Sequence, residues 1–73
     1  MAQIIVDARG LSCPQPVLLA GEEMDKAGSG ELAVLVDNDA SRENVGRAAV
    51  AKGWQVTADV AEADGNFRLV LHK

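Results

Sequence analysis

Both prolines of the chain, Pro14 and Pro16, stand within three residues of each other beside its only cysteine, Cys13. They divide two apolar patterns that cannot belong to one element. Before them, Ile4, Ile5 and Val6 form a continuous apolar run, so residues 3–6 read as a short strand covered on both faces. After them, Val17, Ala20, Met24 and Ala27 recur at helical spacing, so residues 14–27 read as a helix. Proline is tolerated in the first helical turn, where the N–H groups have no intrahelical partner. Pro14 at the first helical position makes Cys13 the N-cap, and a residue preceding proline is held in the extended geometry that a cap requires. Pro16 removes a further orphan donor, leaving the N–H groups of Gln15 and Val17 nearest the sulfur. Gln15 is helical and yet precedes a proline, which strains one local rule. The thiol is thereby expected at a strand-to-helix junction, at the positive end of a helix dipole, where thiolate is favoured over thiol. Arg9, four residues upstream, adds positive charge if the loop folds back. Against this stands the plainer possibility that Cys13 is a small buried hydrophobe.

With 73 residues the chain reads as one domain over residues 1–73, near the lower size at which a core holds without staples. One tryptophan, one phenylalanine and no tyrosine leave the core to Val, Leu, Ile and Ala. A single cysteine excludes an intramolecular disulfide and suits a reducing compartment. The N-terminus has no basic stretch followed by a long apolar run, and no apolar run is long enough to span a bilayer, so the expected location is the cytoplasm, with no membrane partner. The formal net charge of −4 comes without a basic patch, so direct nucleic-acid binding is not expected.

The remaining pattern completes the topology. Leu18 and Leu19 widen the apolar surface of the first helix, and one of them exposed near Cys13 would serve docking. Residues 28–30 (Gly-Ser-Gly) end that helix. Residues 31–36 are nearly all apolar, as in a central strand. Asp39 is expected to cap a helix over 40–52, with Val45, Ala48 and Ala49 inward and Gly53 stopping it. Residues 54–60 alternate, with Trp54, Val56, Ala58 and Val60 on one face. Residues 61–65 form a hairpin-length loop. Residues 66–72 put Phe67, Leu69 and Leu71 on one face. The order is β-α-β-α-β-β. Right-handed crossovers make the helix-linked strands parallel, and the last two strands form an antiparallel hairpin. The expected fold is α/β, a two-layer sandwich with a mixed four-stranded sheet and two helices on one face.

Sites in open α/β sheets gather at the carboxyl ends of parallel strands. The loop of Asp7, Ala8, Arg9, Gly10, Leu11 and Ser12 falls there, as does the Asp37-Asn38-Asp39 turn, with Asn38 and Arg42 as edge contributors. Each has a plain reading too: Asp7 pairing with Arg9, Arg42 and Arg47 solvated, Ser12 a turn residue. Other chemistries lack residues. The only base for a Cys–His pair is His72, next to the C-terminus. One Cys and one His make a poor metal site, so no metal is expected. Cys-x-x-Cys and a Gly-rich phosphate loop are both absent. A lone activated thiol fits carriage of a sulfane sulfur as persulfide, which requires neither general base nor cofactor.

The stretch Asp7-Ala8-Arg9-Gly10-Leu11-Ser12-Cys13-Pro14-Gln15-Pro16 resembles the Cys-Pro-x-Pro signature of the TusA/SirA-like sulfur-carrier family. The segments 37–45 and 53–56 resemble one branch, the amino-terminal domain of YedF-type proteins, which are associated with selenium metabolism. The resemblance implies a persulfide on Cys13, received from a cysteine desulfurase or another sulfur donor and passed to a downstream acceptor protein; selenium is the alternative cargo. It carries the motif to Cys13, Pro14 and Pro16, and more loosely to Asp7, Gly10 and Leu11. Gln15 stands where the tRNA-thiolation branch has an acidic residue. YedF-type proteins carry a second domain, so the resemblance implies either a stand-alone relative or an excised domain. Two other functions fit the same residues: a non-catalytic interaction or regulatory domain docking through the Cys13 edge, and a redox sensor forming an intermolecular disulfide through Cys13.

Overall fold

The apolar run at Glu31–Val36 forms β2, and the rest of the sheet is laid around it. In the computed structural model, which describes residues 4–11, 15–62 and 65–73, β1 (Ile4–Asp7) pairs with β2 in parallel. The chain continues through α1 (Gln15–Ala27), β2, α2 (Asp39–Ala51), β3 (Gln55–Ala61) and β4 (Phe67–His72). The sheet order is β1-β2-β4-β3, with both pairs involving β4 antiparallel. This is the expected mixed four-stranded sheet in the order β-α-β-α-β-β. Helix α1 lies over β1 and β2, α2 lies over β4 and β3, and the two helices pack against each other.

Alternation along β2 and β4 sets the core. Leu32, Val34 and Val36 face the helices together with their neighbours Leu69 and Leu71, and Ala20, Met24, Val45 and Ala49 close over them. Val17, Leu19 and Ala27 flank that cluster, so the helical stripe of α1 falls where its spacing places it, and Leu18 is left exposed. Helix α2 ends at Gly53, whose φ of 87° lies in the left-handed region.

Three readings of the sequence are corrected. First, β1 is an edge strand bonded only to β2, and Ile4 and Ile5 are 44% and 65% exposed rather than covered on both faces; Ile5, opposite Ala33, lies on the face of the sheet away from both helices. A continuous apolar run does not distinguish the two positions, because the number of neighbouring strands is a property of the whole sheet. Second, α2 is capped by Asn38 rather than Asp39. Asn38 is extended (φ −155°, ψ 161°) and its Oδ1 accepts from Ser41 N at 2.7 Å. Asp39 begins the helix instead. Third, the alternation of β3 breaks. Val56 pairs with Leu71, but Ala58 pairs with Val70, so Thr57 is an extra residue in the ladder. Such a bulge reverses the faces of the later residues in the strand. Asp59, opposite Leu69, thus turns toward the helix layer, and Val60, opposite Arg68, is 50% exposed.

Candidate functional site

The carboxyl ends of β1 and β2 lie side by side, because the two strands are parallel and in register from Ile4 opposite Leu32 to Asp7 opposite Leu35. The ladder runs one residue past β1: Ala8 N donates to Leu35 O at 2.8 Å. From there the loop alternates between anchors and exposed residues. Ala8 is fully buried in the core, Arg9 and Gly10 are exposed, and Leu11 packs against the core. Ser12, Cys13 and Pro14 lie outside the described residues. The chain re-enters at Gln15, which is exposed, and Pro16, which is fully buried under the first turn of α1. The segment bearing the cysteine is therefore bracketed by Leu11, which packs against the core, and Pro16, which is buried.

The polar groups of the loop have partners of their own. Arg9 Nε donates to Asp7 Oδ1 at 2.8 Å and its NH2 group to Asp7 Oδ2 at 2.9 Å, a two-pronged pair reinforced by Arg9 N donating to Oδ1 at 3.1 Å. The side-chain bond to Arg9, then the backbone bond, hold the Asp7 carboxyl down at about 2 from its ordinary 3.8. The same bond raises the Arg9 pKa. The positive charge that the sequence offers at Arg9 is thus matched by Asp7 within the loop itself. Gly10, at φ 79°, donates its N–H to Asp37 Oδ2 at 2.6 Å. Asp37 Oδ1 accepts from Asn38 Nδ2 at 3.1 Å.

Two proposed edge contributors resolve differently. Asn38 sits in the turn bonded to the loop, but its side chain is occupied by the cap and by Asp37. Arg42 turns the other way. Its guanidinium bonds Asp39 and, at 2.6 Å, Asp59 of β3, and lies 5.1 Å over the Phe67 ring. Those two carboxylates, Asp39 first, raise its pKa. Strand β3 is at the opposite edge of the sheet from β1, so the guanidinium ties α2 to the far hairpin. The bulge that turns Asp59 inward is what makes this pairing available. Sequence reading passes over three features of the loop's support: Ala8 as core, the burial of Pro16, and Asp37 as the partner of Gly10. A run of small and polar residues carries no period that reveals them.

A two-layer α/β domain with its cysteine-bearing segment spanning the end of a parallel strand pair and the start of a helix defines the class. The sulfurtransferase TusA family model matches residues 4–73, and this chain belongs to that family. Among solved structures it is similar to a SirA-like protein from Desulfitobacterium hafniense, with 34% sequence identity and a TM-score of 0.87, covering 94% of this chain and 95% of that one. A search of curated proteins gave no significant match. Among the described residues, no helix is long and apolar enough to cross a membrane.

Proposed function

We propose that this chain, as one domain over residues 1–73, is a cytoplasmic sulfur carrier that holds its cargo as a persulfide on Cys13. The thiolate of Cys13 attacks the outer sulfur of a donor's persulfide. The donor's S–S bond breaks, the donor cysteine leaves as thiolate, and a persulfide forms on Cys13 with no net oxidation. Attack on that outer sulfur by an acceptor thiolate reverses the sequence and returns Cys13 as thiolate. A cysteine desulfurase is the donor class that supplies such a sulfur, and the acceptor is a second protein.

The observation that carries this reading is membership of the sulfurtransferase family over nearly the whole chain, with Cys13 the only thiol it contains. Its support is the anchoring on either side of the cysteine: Leu11 packs against the core and Pro16 is buried, which suits a thiol presented repeatedly to different partners. Leu18 on the same end of α1 is 61% exposed and suits a partner's apolar contact. Pro14 and Gln15 complete the motif, with Ser12 as the neighbour of the thiol. Selenium, suggested by the likeness to the YedF branch, is the alternative cargo.

The test is intact mass after mixing the reduced protein with a cysteine desulfurase and cysteine. A gain of one sulfur atom, removed by reductant and absent from Cys13→Ser, is expected. Sulfur retained on Cys13→Ser refutes the reading. No gain on a wild-type thiol that alkylates freely refutes the desulfurase as donor, and a selenium donor is then tried in the same assay. Reductant-sensitive dimers as the only product mark a redox sensor instead.

A further inference from the structure

We propose that the sheet face turned away from the helices docks a second copy of this chain, about a two-fold axis that runs between β2 and β4, parallel to the strands. Both helices lie on the other face, and among the described residues no element covers this one. The strand register sets its side chains in rows. The middle row runs Ile5, Ala33, Val70, Ala58 across β1, β2, β4 and β3. It is apolar throughout, and Ile5 at its end is 65% exposed.

The proposed axis exchanges β1 with β3 and β2 with β4. In a face-to-face pair it sets Ile5 of one copy over Ala58 of the other, and Ala33 over Val70. Each contact joins a large side chain to a small one, as interdigitation of two sheets about 10 Å apart requires. An axis across the strands would instead stack Ile5 on Ile5 and Ala58 on Ala58. The rows on either side match as well. On one, Glu31 meets His72, a carboxylate beside an imidazole N–H donor. On the other, the Asp7–Arg9 ion pair falls beside the Arg68–Glu62 ion pair, so each carboxylate has a guanidinium of the other copy next to it. Four strands about 4.8 Å apart, the longest of seven residues at about 3.4 Å each, give a face of about 450 Å² in projection. Side-chain relief adds to that, which puts the face at the low end of interfaces that bury about 800 Å² on each partner. The pair is therefore expected to dissociate at about 1–100 µM. Cys13 takes no part in this inference, which stands independently of the carrier reading.

The test is sedimentation equilibrium of the full chain, in reductant to exclude disulfide dimers, from about 10 µM to about 1 mM. The wild type is expected to pass from one chain to two over that range. Ile5→Ala opens a hole at both equivalent contacts of the pair, and Ala58→Ile overfills them; each is expected to weaken association about tenfold. The double variant exchanges large and small and is expected to associate within about threefold of wild type. Within one chain the two residues stand on opposite edge strands, so coupling between them arises only between copies. Melting temperatures at the lowest concentration establish that each variant is folded. A wild-type chain that stays monomeric at about 1 mM overturns the proposal and leaves the face to a partner of different sequence. Association that survives both single variants places the contact elsewhere and overturns it too. A double variant no better than the singles refutes the two-fold register.

Discussion

The same substitution, glycine to alanine, is expected to have opposite signs at two positions of this chain seven residues apart. Gly46 lies within α2, and a Cβ built there meets nothing closer than Val56 Cγ2 at 3.9 Å, an ordinary contact. Alanine fits without displacement and gains the helix-interior preference over glycine, about 0.5–1 kcal/mol. Gly53 follows the end of α2 with φ 87°. There too space is available, the nearest atom being Lys73 Cε at 3.7 Å, so the cost is in the backbone alone. Holding an L-residue in the left-handed region costs about 1–2 kcal/mol. With about 2.1 cal/mol/K of unfolding entropy per residue, a chain of 73 residues changes its Tm by about 6–7 °C per kcal/mol. Gly46→Ala should therefore melt about 3–7 °C above wild type, and Gly53→Ala about 7–13 °C below it. Differential scanning calorimetry, supported by urea unfolding with unchanged m, measures both. Both residues lie away from the Asp7 to Pro16 loop, so persulfide loading should be unaltered in either. A Gly46→Ala variant that melts below wild type refutes the reasoning, because it means the space beside Val56 is not free. A Gly53→Ala variant within about 2 °C of wild type means that the left-handed turn relaxes at no cost.

Other perturbations have equally definite outcomes. Leu71→Ala, at a fully buried position of β4 between Leu32 and Val56, should cost about 2–5 kcal/mol in urea unfolding, a large share of the stability of a chain this size. Asn38→Ala removes the acceptor for Ser41 N and should cost about 0.5–2 kcal/mol, whereas Asn38→Ser, which keeps a cap acceptor, should recover most of that loss. Asp7, held at about 2 in the folded protein against 3.8 ordinarily, contributes stability that is complete above its unfolded pKa and lost as the pH falls from about 4 to about 2. The stability difference between wild type and Asp7→Asn should accordingly be constant near neutrality and shrink through that window; a difference unchanged down to pH 2 shows that Arg9 does not hold the carboxylate. Deleting Thr57 should leave Asp59 opposite Leu69 and bonded to Arg42, because it removes only the bulged residue; a crystal structure with the pair broken contradicts that account of β3.

Much of this protein is set by interactions between near neighbours in sequence, and those are legible without a fold. Apolar spacing assigns the inward stripe of α1, and Gly53 marks the end of α2, because each depends on backbone geometry within one or two turns; the reading of Cys13 as the cap of α1 lies outside the described residues. The parallel pairing of β1 with β2, and hence the neighbourhood of the two loops at their ends, also comes from chain connectivity. The family is shown by the match of the sulfurtransferase TusA model over residues 4–73, together with that element order. What the sequence could not supply is each fact that depends on a distant partner. That β1 is an edge strand depends on the order β1-β2-β4-β3, in which β4 pairs with the far side of β2 and β1 keeps β2 as its one neighbour. That Asp59 faces α2 depends on the extra residue at Thr57, and a reversal of faces by one residue is invisible to a period-two pattern. That Arg42 serves the far hairpin, and that Asp37 reaches Gly10 across 27 residues, depends on where the sheet and helices bring side chains together. Hydrogen bonds of this kind form only when packing has already fixed both ends, so the tertiary structure, and not the local sequence, decides which carboxylate bonds Gly10 in the loop that follows β1.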